Sequence, residues 1–385
     1  MKKKILFVPS WYPGEKDPIS GIFIQEQAIA LATKYDVAVL VPGMAAWRDL
    51  FAAKDRSFAA NEAGLRVYRE FARPLIPHGP ESVSHETFVR AVESGFKKLV
   101  REWGKPDVIH THVVLNAGWA ALRLGQRHDI PVVLTEHSSP FSMHLESRLS
   151  ERLARETLTN VNKLIAISPA LAKELLDFQP GLHIDIIGES VRTDFFVPAN
   201  DIHQEKRVGK RFFVAARLAQ QKGLDNLIEA VHLLRQNGLN SFELVIGGDG
   251  PDRQKLEQLV KTLDVTEYCQ FLGALSRDQV RERMQKCDVF VLSSLHESFG
   301  VVLGEAMACG KPVISTRCGG PEFVVNEETG VLVEVAKPQA VADAMADFIK
   351  DRISFNPQEV RNSVVNRFSP EAFVRNVSAV YEQVW

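Results

Sequence analysis

The 385-residue chain lacks any long apolar run. No window approaches the ~20 consecutive apolar residues that cross a bilayer. The N-terminal "MKKKILFVPSWYP" offers only "ILFV" before Pro9, far less than the core of a secretory leader, so a cytoplasmic location is expected. Charge of one sign is also missing. The formal net charge is −2, with 45% hydrophobic and 24% charged residues; these values fit a globular protein and argue against a nucleic-acid partner. Cysteine is scarce. Cys269, Cys287, Cys309 and Cys318 form no CxxC, and no histidine lies at zinc-finger spacing, so free, buried thiols are expected. The usual glycine signatures for phosphate are absent too. The first apolar run leads into "VPSWYPG" rather than GxGxxG, and no GK[ST] comes after a glycine turn, which weighs against a dinucleotide or P-loop reading. There is no D-x-D, the carboxylate pair often used to hold a divalent metal.

What the chain does have is a rhythm. Short apolar runs without alternation, "KILFV" (4–8), "DVAVLV" (36–41), "DVIHTH" (107–112), "PVVLTEH" (131–137) and "KLIAIS" (163–168), alternate with helical patterns such as 21–35 and 85–103. Such runs read as parallel strands covered on both faces. Residues 195–210 lose apolar character and read as a linker. A second series then runs through "RFFVAAR", "FELVIGGDG", "CQFLG", "DVFVLSS", "KPVIST" and "GVLVEV". The expected architecture is α/β, two Rossmann-like doubly wound parallel-sheet domains facing a central cleft. Domain one is expected over 1–194 and domain two over 211–367. A last helix within 368–385 would dock through Phe373, Val377, Val380 and Tyr381 back towards the N-terminal domain.

Candidate chemistry gathers in the second half. Arg217 and Lys222 come after one strand, a pair suited to a diphosphate or equally to a solvated surface. The turn "VIGGDGP" (245–251) carries Gly248 and Gly250. In "SLHESFGVVLGEAMACGKPVIS" (294–315) a helix is expected to begin near Ser298 or Phe299, with amides of Gly300, Val301 and Val302 free for an anion. If the segment is largely helical, Glu297 and Glu305 stand ~12 Å apart, and one ligand could engage both. Otherwise Glu297 is a first-turn acid and Glu305 a surface one.

These motifs in this order resemble glycosyltransferase family 4, retaining enzymes of the GT-B fold. "HESFGVVLGEAMACGKPVIST" is similar to its E-x7-E signature, "ARLAQQKGLDNLIEA" to its R-x4-K motif, "GGDGP" to its glycine turn and "GGPEFV" to the loop after the next strand. "WYPGEKDPISGIFIQEQA", "DVIHTH" and "TEHSS" are similar to the N-terminal half of bacterial members that build surface polysaccharides. The resemblance implies that Arg217 and Lys222 bind the donor diphosphate. It implies contacts of Glu297 with the donor sugar and of Glu305 with the ribose. Phe299, Gly300, Val301, Val302 and Leu303 would offer amides to the phosphates, Gly21 would begin a helix near them, and His137 would lie beside the donor sugar.

The implied activity is a retaining hexosyl transfer from a nucleotide-sugar, UDP favoured, to a saccharide or lipid-linked saccharide, without cofactor or divalent metal. A GT-B nucleotide-sugar epimerase or a non-catalytic sugar-nucleotide-binding protein would share the donor site. His110 and His112, at i and i+2 of a strand, have no third metal ligand nearby, and a structural or cleft-lining role is expected for His112. The helix 85–103 carries Phe88, Val92, Phe96, Leu99 and Trp103 beside Arg90, Lys97, Lys98 and Arg101. It reads as core-packed, or as a peripheral contact with the inner membrane face. One departure stands out: "GESVRTDFF" (188–196) has Glu189 and Arg192 where the family usually carries Asn and Asp.

Overall fold

The computed structural model describes residues 2–15, 17, 19–44, 58–74, 76, 80–138, 140–199 and 209–385, without the side chains of Phe58 and His144. Two compact units emerge, Met1–Ser190 with Pro370–Trp385, and Val191–Ser369.

The first unit holds an eight-stranded sheet. Its strands are β1 (Lys4–Pro9), β2 (Asp36–Met44), β3 (Phe58–Glu62), β4 (Leu65–Ala72), β5 (Val108–His112), β6 (Val132–Glu136), β7 (Lys163–Ala166) and β8 (Ile184–Ile186). They lie in the order β3-β4-β2-β1-β5-β6-β7-β8, parallel except for β3 on β4. The apolar runs become fully buried strands, as their lack of alternation requires. The helix Glu81–Trp103 buries Val92, Phe96, Leu99 and Trp103. The apolar stripe on which an interfacial reading rested therefore belongs to the core; its basic flank, Lys97, Lys98 and Arg101, is exposed, and Lys98 pairs with Glu70 at 2.7 Å.

The second unit holds β9 (Lys210–Ala215), β10 (Phe242–Gly247), β11 (Cys269–Gly273), β12 (Val289–Leu292), β13 (Val313–Thr316) and β14 (Gly330–Val333). The order is β11-β10-β9-β12-β13-β14, all parallel. In each sheet the chain passes from one side of its first strand to the other, at β1/β5 and at β9/β12. Open α/β sheets bind ligands outside the carboxyl ends of the strands at such a point.

The division between the units falls at Ser190/Val191, ahead of the expected boundary at 194 and linker 195–210. Val191 is fully buried, its N–H donating to the Phe368 carbonyl at 2.8 Å, and the Arg361 guanidinium donates to the carbonyls of Thr193 and Phe196 at 3.0 Å. Residues 200–208 of that linker lie outside the described residues. The terminal helix Pro370–Tyr381 belongs to the first unit and buries Phe373, Val377, Val380 and Tyr381 in a core shared with Phe7, Ile24 and Leu31. All four cysteines are free. Cys287, Cys309 and Cys318 are buried and Cys269 is half-buried. Burial pushes the thiols of Cys269 and Cys309 up to about 12, so neither supplies a thiolate at neutral pH.

Candidate active site

In the second unit, the segment leaving β9 carries Arg217 and, in a single 3-10 turn, Lys222. The segment leaving β12 carries Ser294 and Glu297. Backbone and hydroxyl bonds tie the two together: Leu295 N–H donates to the Gln221 carbonyl at 2.9 Å, and the Ser293 hydroxyl to the Lys222 carbonyl at 3.1 Å. The topological switch point thus delivers the two residues to each other. Lys222 Nζ donates to Glu297 Oε1 at 2.6 Å, and the Ser294 hydroxyl reaches the same oxygen at 2.7 Å. The pair is partly open, with side-chain exposures of 27% for Lys222 and 13% for Glu297. An ammonium has three donors; one is engaged here. Arg217 is exposed and has no side-chain partner among the described residues.

Glu297 does not stand on a helix. The helix is Val301–Ala308, begun by Gly300 at φ 83°, and the expected start at Ser298 or Phe299 is corrected accordingly. Glu297 instead bridges to the neighbouring loop, its N–H donating to the Cys318 carbonyl at 3.2 Å and its carbonyl accepting from Gly320 N–H at 2.8 Å. The ~12 Å separation along one helix axis therefore does not apply to Glu297 and Glu305. A left-handed residue at position 300 suits glycine alone at low cost. The Leu303 amide donates to the Gly300 carbonyl at 2.9 Å, whereas those of Val301 and Val302 have no backbone acceptor among the described residues. Phe299 turns its ring into the core against Phe323 and Phe368 and leaves only backbone for a ligand. Glu305 is buried and meets Arg277 at 3.2 Å, a partner 28 residues away that no sequence signal announced.

The glycine turn serves this site indirectly. A Cβ on Gly248 would lie 1.8 Å from the Ala216 carbonyl oxygen, and one on Gly250 would lie 2.4 Å from that of Leu218. Leu218 N–H donates to the Asp249 carbonyl at 2.9 Å. The turn is thus the bed on which the Arg217 segment rests.

In the first unit, Gly21 begins the helix Ile22–Ala32 at φ 70°, and the Trp11 carbonyl packs on it where a Cβ would be. At the end of β5 and β6 sit His112 and His137, both buried. The Glu136 carboxylate accepts from the amides of Val114, His137 and Ser138 at 2.7, 2.9 and 2.8 Å, and so builds the turns after both strands. Val113, between them, is held at φ 75°, a strained value for a β-branched residue. His110 lies behind, bonded to Tyr381 Oη at 2.6 Å and Thr135 Oγ1 at 2.7 Å. Burial lowers its pKa to about 3, and burial with His110 and His137 nearby lowers that of His112 well below the usual range. Both rings are neutral at physiological pH. No group of three or more metal-ligating side chains occurs among the described residues. His137 has both ring nitrogens engaged, Nδ1 with Glu189 at 2.7 Å and Nε2 with His112 at 3.0 Å. It follows the last residue of β6; the partner Glu189 is legible in sequence only as a departure from pattern.

Two Rossmann-like sheets, one bearing a cation–carboxylate pair at its switch point, make up the GT-B fold. Residues 199–367 match the family model for glycosyl transferases group 1, and 21–184 match that for a glycosyl transferase 4-like domain. TuaC of Bacillus subtilis, a glycosyltransferase assigned to teichuronic acid biosynthesis, is 27% identical over 91% of this chain and 90% of its own. Among solved structures, sucrose-phosphate synthase from Thermosynechococcus elongatus superposes with a TM-score of 0.77 at 22% identity, covering 99% of both chains. HepE of Anabaena in complex with UDP gives 0.76 at 19% identity, covering 100% of both; at such identities these two speak for the fold. The chain belongs to glycosyltransferase family 4 and is a glycosyltransferase with the GT-B fold.

Proposed function

We propose that this enzyme is a retaining, metal-independent hexosyltransferase that moves a sugar from a nucleotide-sugar, UDP-linked for preference, to a saccharide or lipid-linked saccharide during surface-polysaccharide synthesis. The observation that carries the reading is the partly open Lys222–Glu297 pair at the β9/β12 switch point. UDP in the HepE complex and the assignment of TuaC support the donor and the pathway class.

In this reading the bond from sugar C1 to the β-phosphate oxygen breaks, and its electrons leave with the phosphate. Lys222, Arg217 and the amides of Val301 and Val302 stabilise that charge where it develops, as preorganised donors do best. The acceptor hydroxyl attacks C1 from the same face, and its proton passes to the departing phosphate oxygen. Glu297 holds sugar hydroxyls, and Glu305 the ribose. The first unit acts through His137 at the donor sugar, with Gly21 near the phosphates and His112 lining the site. No step needs a divalent cation. A lipid-linked acceptor would be met at the cytoplasmic membrane face through exposed Lys97 and Arg101; among the described residues no helix is long and apolar enough to cross a membrane.

Thermal unfolding with UDP-, GDP- and ADP-sugars, NAD and EDTA tests the reading. Ligand at 100 times its dissociation constant adds ~2.7 kcal/mol. Stabilisation by one nucleotide-sugar, unaffected by EDTA and absent in Lys222→Ala, is expected. Stabilisation by NAD alone, or by nothing, overturns it. Anomeric configuration of the product, read by NMR, then decides retention.

A further inference from the structure

Glu189 stands three residues beyond β8, at the carboxyl edge of the first unit's sheet. It is buried, with 4% of its side chain exposed, against 2% for His137. One carboxylate oxygen accepts from His137 Nδ1 at 2.7 Å and the other from the Gln27 side-chain amide. His137 Nε2 lies 3.0 Å from His112 Nδ1, with the two rings stacked at 5.2 Å between centroids and 25° between planes. His112 in turn stacks on His110 at 4.5 Å. The chain of contacts ends at His112 Nε2, buried and without a hydrogen-bond partner among the described residues.

Donor and acceptor chemistry places the protons along these contacts. An ionised carboxylate only accepts, so His137 must carry a proton on Nδ1. With a single proton on the His137 ring, held at Nδ1, Nε2 offers a lone pair, and the proton in the next contact belongs to Nδ1 of His112, which burial keeps neutral. His112 Nε2 is thereby a bare acceptor. We infer that Glu189 is a positioning residue: it fixes the ring and tautomer of His137 and, through it, sets His112 Nε2 to accept a hydrogen bond from a substrate hydroxyl. A neutral amide at position 189 can donate or accept, and so dictates neither tautomer. This rests on the reading of His137 as a residue of the donor-sugar site.

The first test is ring-nitrogen NMR of the full-length protein carrying ¹⁵N-histidine, with His137 and His112 assigned through His137→Asn and His112→Asn. A protonated Nδ1 on both and an unprotonated Nε2 on His112 are expected. Nδ1 bare on either ring overturns the inference, whatever the donor proves to be. The second test is a double-mutant cycle, monitoring UDP release from UDP-glucose and UDP-N-acetylglucosamine. Glu189→Gln should lower kcat about 10–100-fold, the scale on which supporting hydrogen bonds to a working histidine act, with donor KM within about twofold. In a His137→Asn background it should change kcat by less than about twofold, because coupled residues are non-additive. Additive losses, or Glu189→Gln with full kcat, overturn the positioning role. If His137→Asn itself keeps full kcat, the reading of His137 fails instead, and the inferred hydroxyl acceptor at His112 fails with it.

Discussion

Each unit sets carboxylates at or just beyond the carboxyl ends of its strands, and the two units treat them differently. In the first unit Glu189 and His137 are almost wholly enclosed, and Glu136 is engaged by three backbone amides. In the second, Glu297 and Lys222 keep 13% and 27% of their side chains open, and only one oxygen and one donor of the pair meet. Enclosed carboxylates hold the first unit's turns and rings in place. The half-open pair leaves donors ready for a ligand. Burial and residual valence, rather than charge, separate architecture from reception.

Substitutions should divide along that line. Glu136→Ala removes the acceptor of three amides and is the largest expected loss of stability, about 3–5 kcal/mol at 1–3 kcal/mol for each orphaned group with partial recovery by water; urea unfolding measures it, and a loss below about 1 kcal/mol would erase the contrast. Gly248→Ala should cost about 3 kcal/mol and weaken donor binding in parallel, because the added methyl drives the Ala216–Leu218 segment off its bed. Calorimetry that finds donor affinity intact would detach the glycine turn from the site. Lys222→Ala should change the melting temperature of the ligand-free protein little, since a partly open pair contributes little, yet weaken donor binding about 100-fold. The reverse pattern would make the pair structural.

The smallest effect is an acid slope in the first unit. The folded pKa of His110 lies at about 3, below its unfolded 6.5. Between those values the unfolded chain binds the extra proton, so stability is full above pH 6.5 and falls as pH drops towards 3. Replacing His110 with Gln should flatten stability against pH in that window, on the order of 1–2 kcal/mol between pH 6.5 and 5. An unchanged slope would assign the acid sensitivity elsewhere.

Much of this is legible in sequence because parallel strands advertise themselves. "KILFV" and "DVFVLSS" are apolar on both faces, and the residues just after such a strand lie at the sheet's carboxyl edge; that rule alone delivers Lys222 and Glu297 to one place and sets Arg217 at the same edge. The hidden parts are those set by distance in the chain or by backbone detail. Glu189 and His137 are 52 residues apart, and Arg277 and Glu305 are 28 apart. Neither pairing leaves a periodic trace. The helix start at Val301 escapes the pattern because the apolar character of "SFGVVL" continues through Phe299, whose ring is core although its backbone is not helical. The helix 85–103 shows its stripe plainly, but a stripe alone does not say whether protein or lipid covers it.

The helix Pro370–Tyr381 has a consequence for the order in which the molecule is made. It supplies the partners of Tyr35 through Ser378 (2.8 Å) and of His110 through Tyr381, the latter pair being 271 positions apart. The whole second unit leaves the ribosome before they arrive. Until then the nascent first unit keeps an apolar face bare and two polar side chains waiting, in a chain emerging at roughly 5–20 residues per second. The second unit, continuous in sequence, can close on its own; the first, begun earlier, is the one that finishes last.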